Sequence, residues 1–103
     1  MFYPFIQMNL IFEIVDKMGK EIRLTKERWN HIMKKHPEVQ HEELIKETLQ
    51  KPDKITDIHD DETIKYYYKY YKHRTLDKYL LVLVKYLNGE GYVLSAYYED
   101  KIK

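Results

Sequence analysis

Six consecutive apolar residues, Tyr79-Leu80-Leu81-Val82-Leu83-Val84, put large side chains on both faces of the strand they form. Side chains in a strand alternate between faces, so a run without polar alternation needs neighbours on both sides of a sheet. This run is the expected central strand, and the other elements have to be arranged around it. The segment before it, Ile64 to His73, is rich in tyrosine and lysine and must show one face to solvent.

The remaining pattern gives an order of strands, helices, then strands. Ile11 to Asp16 and Glu21 to Thr25 alternate apolar and polar residues around Lys17-Met18-Gly19-Lys20, as in a hairpin with a glycine-containing turn. Thr25 is placed to cap a helix over Lys26 to His36, where Trp29, Ile32, Met33 and His36 recur at helical spacing until Pro37 stops it. Leu44, Ile45 and Leu49 mark a second helix through about Gln50, ended by Pro52-Asp53. Strands are then expected over Lys54 to Ile58, Thr63 to Lys72, Lys78 to Leu87 and Gly91 to Tyr98. Such segregation predicts an α+β fold, with helices on one side of an antiparallel meander.

A chain of 103 residues has room for a single domain, taken as residues 1–103. There is no cysteine, which excludes disulfides, thiolate metal sites and cysteine nucleophiles and fits a reducing, cytoplasmic setting. The apolar start Met1 to Met8 lacks a basic flank and is expected to be a strand or arm rather than a membrane span. Formal net charge is +1, so any basic site is local. Lys17 to Lys35 holds seven basic residues against two acids, whereas Glu38 to Glu62 holds nine acids against three lysines. A basic cleft between the first helix and the meander is expected, with the second helix on an acidic back.

Tyrosine is over-used, at 11 residues, and Ile64 to His73 interleaves it with lysine. Alternation sets Lys65, Tyr67, Lys69, Tyr71 and His73 on one face, a pairing of cations with rings that suits the phosphates and bases of single-stranded RNA. On the first helix, Arg28, His31 and Lys35 form a basic stripe in which His31 is a candidate for proton transfer; His36 is the second candidate. Ser95 and Tyr97 share a face of the last strand and can orient a phosphate or a 2′-hydroxyl. His31, His36 and His41 lack the spacing of a helical ligand pair, so neither a metal nor a cofactor is expected.

Leu24 to Glu38, with its Trp29-Asn30-His31-Ile32 and His36-Pro37-Glu38 pieces, joins Lys51-Pro52-Asp53, Tyr66-Tyr67-Tyr68, Tyr79 to Lys85 and Gly91 to Tyr97 in a pattern that resembles the phage-type Barnase/EndoU/colicin/RelE-like (BECR) nucleases. The resemblance covers nearly all of the chain after Asn9. It implies two N-terminal helices packed on a four- to five-stranded antiparallel sheet. It also implies a metal-independent endoribonuclease, a toxin of a toxin–antitoxin or phage-conflict system, with RNA as substrate and an antitoxin protein as possible partner. The family's helix histidine falls on His31 or His36, its basic strand position on Lys85 and its final-strand hydroxyl on Ser95 beside Tyr97. Lys35 and Lys69 stand where arginine is expected, keeping the charge without the bidentate fork. Arg28, Lys35, Lys65, Tyr67, Lys69 and Tyr71 are the expected RNA contacts. The alternative is a noncatalytic RNA- or protein-binding module of the same fold.

Overall fold

A computed structural model describes residues 9–58 and 60–102. The elements are β1 (Leu10–Val15), β2 (Glu21–Thr25), α1 (Lys26–Lys35), α2 (Glu42–Gln50), β3 (Lys54–Ile58), β4 (Asp61–Tyr70), β5 (Tyr79–Leu87) and β6 (Glu90–Glu99), with a 3-10 turn at Pro37–Val39 between the helices. The expected strand or arm at Met1 to Met8 lies outside the described residues, as does His59.

All six strands form one sheet in the order β1-β2-β6-β5-β4-β3, antiparallel except where β2 runs parallel to β6. This corrects the expected two N-terminal helices on a four- to five-stranded antiparallel sheet. The β1–β2 hairpin precedes the helices and extends the sheet through the parallel pairs Ile22 with Gly91 and Arg23 with Tyr92. A two-stranded ribbon is marginal alone, and docking on β6 gives it a third strand and a share of the core. Gly91 permits that approach: a Cβ there would meet side-chain atoms of Ile22, Val84 and Tyr86, each at 3.0 Å.

Local signals explain the boundaries. The Thr25 hydroxyl accepts from the Arg28 amide at 3.1 Å and caps α1. Pro37 cannot continue α1 and instead opens the 3-10 turn, after which Gln40 takes a positive φ of 68° and redirects the chain into α2. Ile32 of α1, Val39 of the turn, and Ile45 and Leu49 of α2 are fully buried against Leu80, Val82 and Val84 of β5, Val93 and Ala96 of β6, and Ile22 and Leu24 of β2. Each such aliphatic side chain contributes about 1.5–3 kcal/mol by leaving water. Trp29 and Met33 pack at the margin of this core as their spacing implies.

One carboxylate is buried among these hydrophobic groups. Asp16, at the end of β1, accepts from the Met18 and Lys20 amides at 2.9 and 2.8 Å and from the Tyr67 hydroxyl of β4. The Tyr86 hydroxyl of β5 donates to the same carboxylate at 3.2 Å and also touches the Tyr67 hydroxyl. The hairpin turn is thereby tied to the far half of the sheet, and the Lys17 amide bonds the Leu49 carbonyl of α2 at 3.2 Å.

Burial first, then the hydrogen bond to Asp16, pushes the Tyr67 phenol far above its ordinary range. Burial, opposed by the contact with the Tyr67 hydroxyl and aided by the charge of Asp16, pushes Tyr86 up to about 12. Because both phenols are raised on folding, their contribution is fully present below an unfolded phenol's value of about 10 and is lost as pH rises beyond it. Tyr67→Phe removes a donor from a buried carboxylate and is expected to cost about 1–3 kcal/mol in urea denaturation at neutral pH. It should also flatten the loss of stability above pH ~10. A Tyr67→Phe protein as stable as the parent at neutral pH would contradict this role.

Candidate functional site

The pairing registers assign most strand residues to a face. Tyr67, Val82 and Ala96 lie in one cross-strand row and belong to the core beneath the helices. The neighbouring rows point the other way: Tyr66, Leu83 and Ser95; Tyr68, Leu81 and Tyr97; Tyr70, Tyr79 and Glu99. A further row on this second face runs Ile64, Lys85, Tyr92, Arg23 and Glu13, crossing the parallel junction. Tyr68 and Leu81 are fully buried on this face and His36 at the end of α1 covers part of Tyr97, so the half-buried residues around them, Tyr66, Tyr92, Ser95 and Tyr97, form the candidate surface.

The assignment reverses the expected RNA contacts of β4. Lys65, Tyr67, Lys69 and Tyr71 point toward the helices, not away from them. Tyr67 is fully buried and bonded to Asp16, so its ring is closed to a base. The Tyr71 hydroxyl donates to Glu47 of α2 at 2.6 Å, and burial followed by that bond raises its phenol well above the usual range. Lys65 pairs with Asp57 at 2.5 Å, and Lys69 donates to the Lys51 carbonyl at the end of α2 at 3.1 Å. The expected basic cleft is divided accordingly: these lysines serve the helix side, while Lys85 is on the open side.

Lys85, Ser95 and Tyr97 do share the open face, and a register shift in β6 opposite Leu83 and Val84 sets their spacing. The bulge leaves Val93 and Ala96 both directed to the core and moves Ser95 into the row of Tyr66 and Leu83. Lys85 is one strand over and one row away, a diagonal of about 7–8 Å between backbones. Its ammonium lies 3.4 Å from Asp61. Asp61 is held below the usual carboxylate range, chiefly by the hydroxyl and amide of Thr63 at 2.5 and 2.9 Å and secondarily by Lys85.

Of the two histidine candidates, one reaches this face. His36 caps α1, its amide bonding the Ile32 carbonyl at 2.6 Å, and its ring stacks on Tyr97 with centroids 5.0 Å apart and planes 28° apart. Its Nδ1 lies 3.7 Å from Glu38. His31, Arg28 and Lys35 are exposed on α1, and His31 and Arg28 share a shallow surface depression with Glu27. The structure therefore brings His36, Tyr97, Ser95 and Lys85 to one face and leaves the His31 stripe on the helix surface.

Sequence reasoning missed Tyr66, Tyr92 and Arg23 on this face. Arg23 bonds Glu13 at 2.6 Å, Glu90 at 2.8 Å and the Tyr92 hydroxyl at 3.3 Å, and its guanidinium sits 5.9 Å from the Tyr92 ring centre. The hydrogen bond to Glu13 above all strengthens its hold on its proton. This arrangement fixes the Tyr92 ring at the rim of the face. The missed signal was strand parity, since Arg23 and Glu13 alternate with the core residues Ile22, Leu24 and Phe12.

Among the described residues, no three histidine, aspartate or glutamate side chains converge as a metal site, and no helix is long and apolar enough to cross a membrane. No protein-family model, curated protein or solved structure matches this chain significantly. The site rests on geometry alone. Because Thr63 is the larger cause of the low Asp61 titration, Thr63→Val is expected to raise it further than Lys85→Met does, as followed by carboxyl NMR. The opposite ranking would show that the pair with Lys85 dominates.

Proposed function

We propose that this chain is a metal-independent endoribonuclease that cleaves RNA on the open face of its sheet. The observation that carries the reading is the stack of His36 on Tyr97 beside Ser95, on the same face as Lys85. Those residues supply what attack of a 2′-hydroxyl on the adjacent phosphorus requires: an imidazole nitrogen to take a proton, hydroxyls and a cation for phosphate oxygens, and rings for bases. In the reaction His36 takes the 2′-hydroxyl proton as the O2′–P bond forms. The P–O5′ bond breaks, the 5′-oxygen takes a proton from solvent, and a 2′,3′-cyclic phosphate and a 5′-hydroxyl result. Lys85 faces the phosphate charge, Ser95 and Tyr97 orient it, and Tyr66 and Tyr92 offer faces to the flanking bases. The resemblance to BECR nucleases supports the same activity and is the sole support for a toxin role with an antitoxin partner.

A second reading, a noncatalytic module that binds RNA or protein on this face, is favoured by one observation. Two of its strand cations, Arg23 and Lys85, are already paired with carboxylates.

Purified protein incubated with mixed RNA in excess chelator is expected to cut it. His36→Ala should reduce cleavage by about 10²–10⁴-fold, the usual worth of a positioned acid–base group. His31→Ala should cut at nearly the parent rate. RNA retained without cleavage by the parent protein would select the binding module, and loss of cleavage in His31→Ala with retention in His36→Ala would move the chemistry to the helix surface.

A further inference from the structure

The environment of His36 is fixed on three sides. Its backbone is held by the bond to the Ile32 carbonyl and by Pro37, which starts the next turn. One face of its ring lies against Tyr97. Its Nδ1 edge faces Glu38, which the 3-10 turn places two residues on, with the Val39 amide bonded to the His36 carbonyl at 3.1 Å. Rigid backbone therefore brings this carboxylate and imidazole together, and a long loop is not needed.

A neutral imidazole carries one proton on two nitrogens, and the partner of one nitrogen decides the role of the other. A carboxylate facing Nδ1 favours the proton there, which leaves the lone pair on Nε2. The 3.7 Å separation is longer than a formed N–H···O bond. Closing it takes only side-chain rotation of Glu38, which is 44% exposed, and catalytic hydrogen bonds commonly tighten when substrate arrives.

We propose that Glu38 is a positioning residue that holds the proton of neutral His36 on Nδ1, so that Nε2 is the atom that accepts the 2′-hydroxyl proton. The catalytic part of this proposal rests on the ribonuclease reading, whereas the tautomer itself does not. Glu38 touches no substrate in this scheme. It acts through His36, while Tyr97 sets the plane of the ring.

The test is imidazole 15N NMR of the full chain at mildly alkaline pH, without RNA. The parent protein is expected to show His36 with Nδ1 protonated and Nε2 bare. Glu38→Ala should move His36 to the Nε2–H form favoured by free imidazole, and Glu38→Gln, whose amide oxygen still accepts, should retain Nδ1–H. His31 and His73 serve as internal references that should not change. In the RNA assay, Glu38→Ala should lower kcat by on the order of tenfold at nearly constant KM, a part of the ~10²–10⁴ that acid–base positioning supplies, with Glu38→Gln in between. An Nε2–H tautomer in the parent, or the same tautomer in parent and Glu38→Ala, overturns the proposal. The tautomer is read without turnover, so failure of every protein to cut RNA overturns the ribonuclease reading alone.

Discussion

The parallel junction of β2 with β6 is the constraint on which the rest of the molecule depends. Two residue pairs form it, and Gly91 lets the backbones close because no Cβ intrudes on Ile22, Val84 and Tyr86. Since Thr25 both ends β2 and caps α1, the place where β2 docks decides where α1 begins. From there α1 and the 3-10 turn run against β6, which carries His36 to Tyr97 and buries Val39. Displacing the junction would separate the imidazole from the strand that bears Ser95 and Tyr97.

The polar interior serves the same end by different means. Asp16 holds the hairpin turn to Tyr67 and Tyr86 across the sheet, so the N-terminal ribbon and the meander are joined both by strand pairing and by a satisfied buried carboxylate. Such a group is costly if any partner is lost, and this couples the hairpin's position to the integrity of β4 and β5. On the open side, the ion pairs of Arg23 hold Tyr92, and the stack with His36 engages Tyr97. The face is ordered before any ligand arrives, which reduces what binding must organise.

Much of the local structure was legible in the residues. The hairpin around Gly19, the cap at Thr25, the stop at Pro37, the central run Tyr79 to Val84 and the meander strands all follow from short-range rules and appear in the structure. The parallel junction was not legible, because two pairs far apart in sequence leave no periodic trace. The faces of β4 were misread for a specific reason: both carry tyrosines, and interleaved lysines suggested solvent. Lys65 and Lys69 instead reach from the helix side to Asp57 and to the Lys51 carbonyl, with their aliphatic stems beside apolar neighbours. The choice between His31 and His36 likewise depended on where α1 sits against β6, which helical spacing does not reveal.

The central claim is that RNA meets the open face of the sheet at His36 and Tyr97. Aromatic 1H–13C NMR of the intact chain, titrated with a short single-stranded RNA carrying 2′-O-methyl groups to block cleavage, tests it most directly. Shifts at His36, Tyr66, Tyr92 and Tyr97, with Tyr71 and His31 unmoved, are the predicted result. Shifts confined to Tyr71 on the helix side or to His31 on the surface of α1 would contradict it.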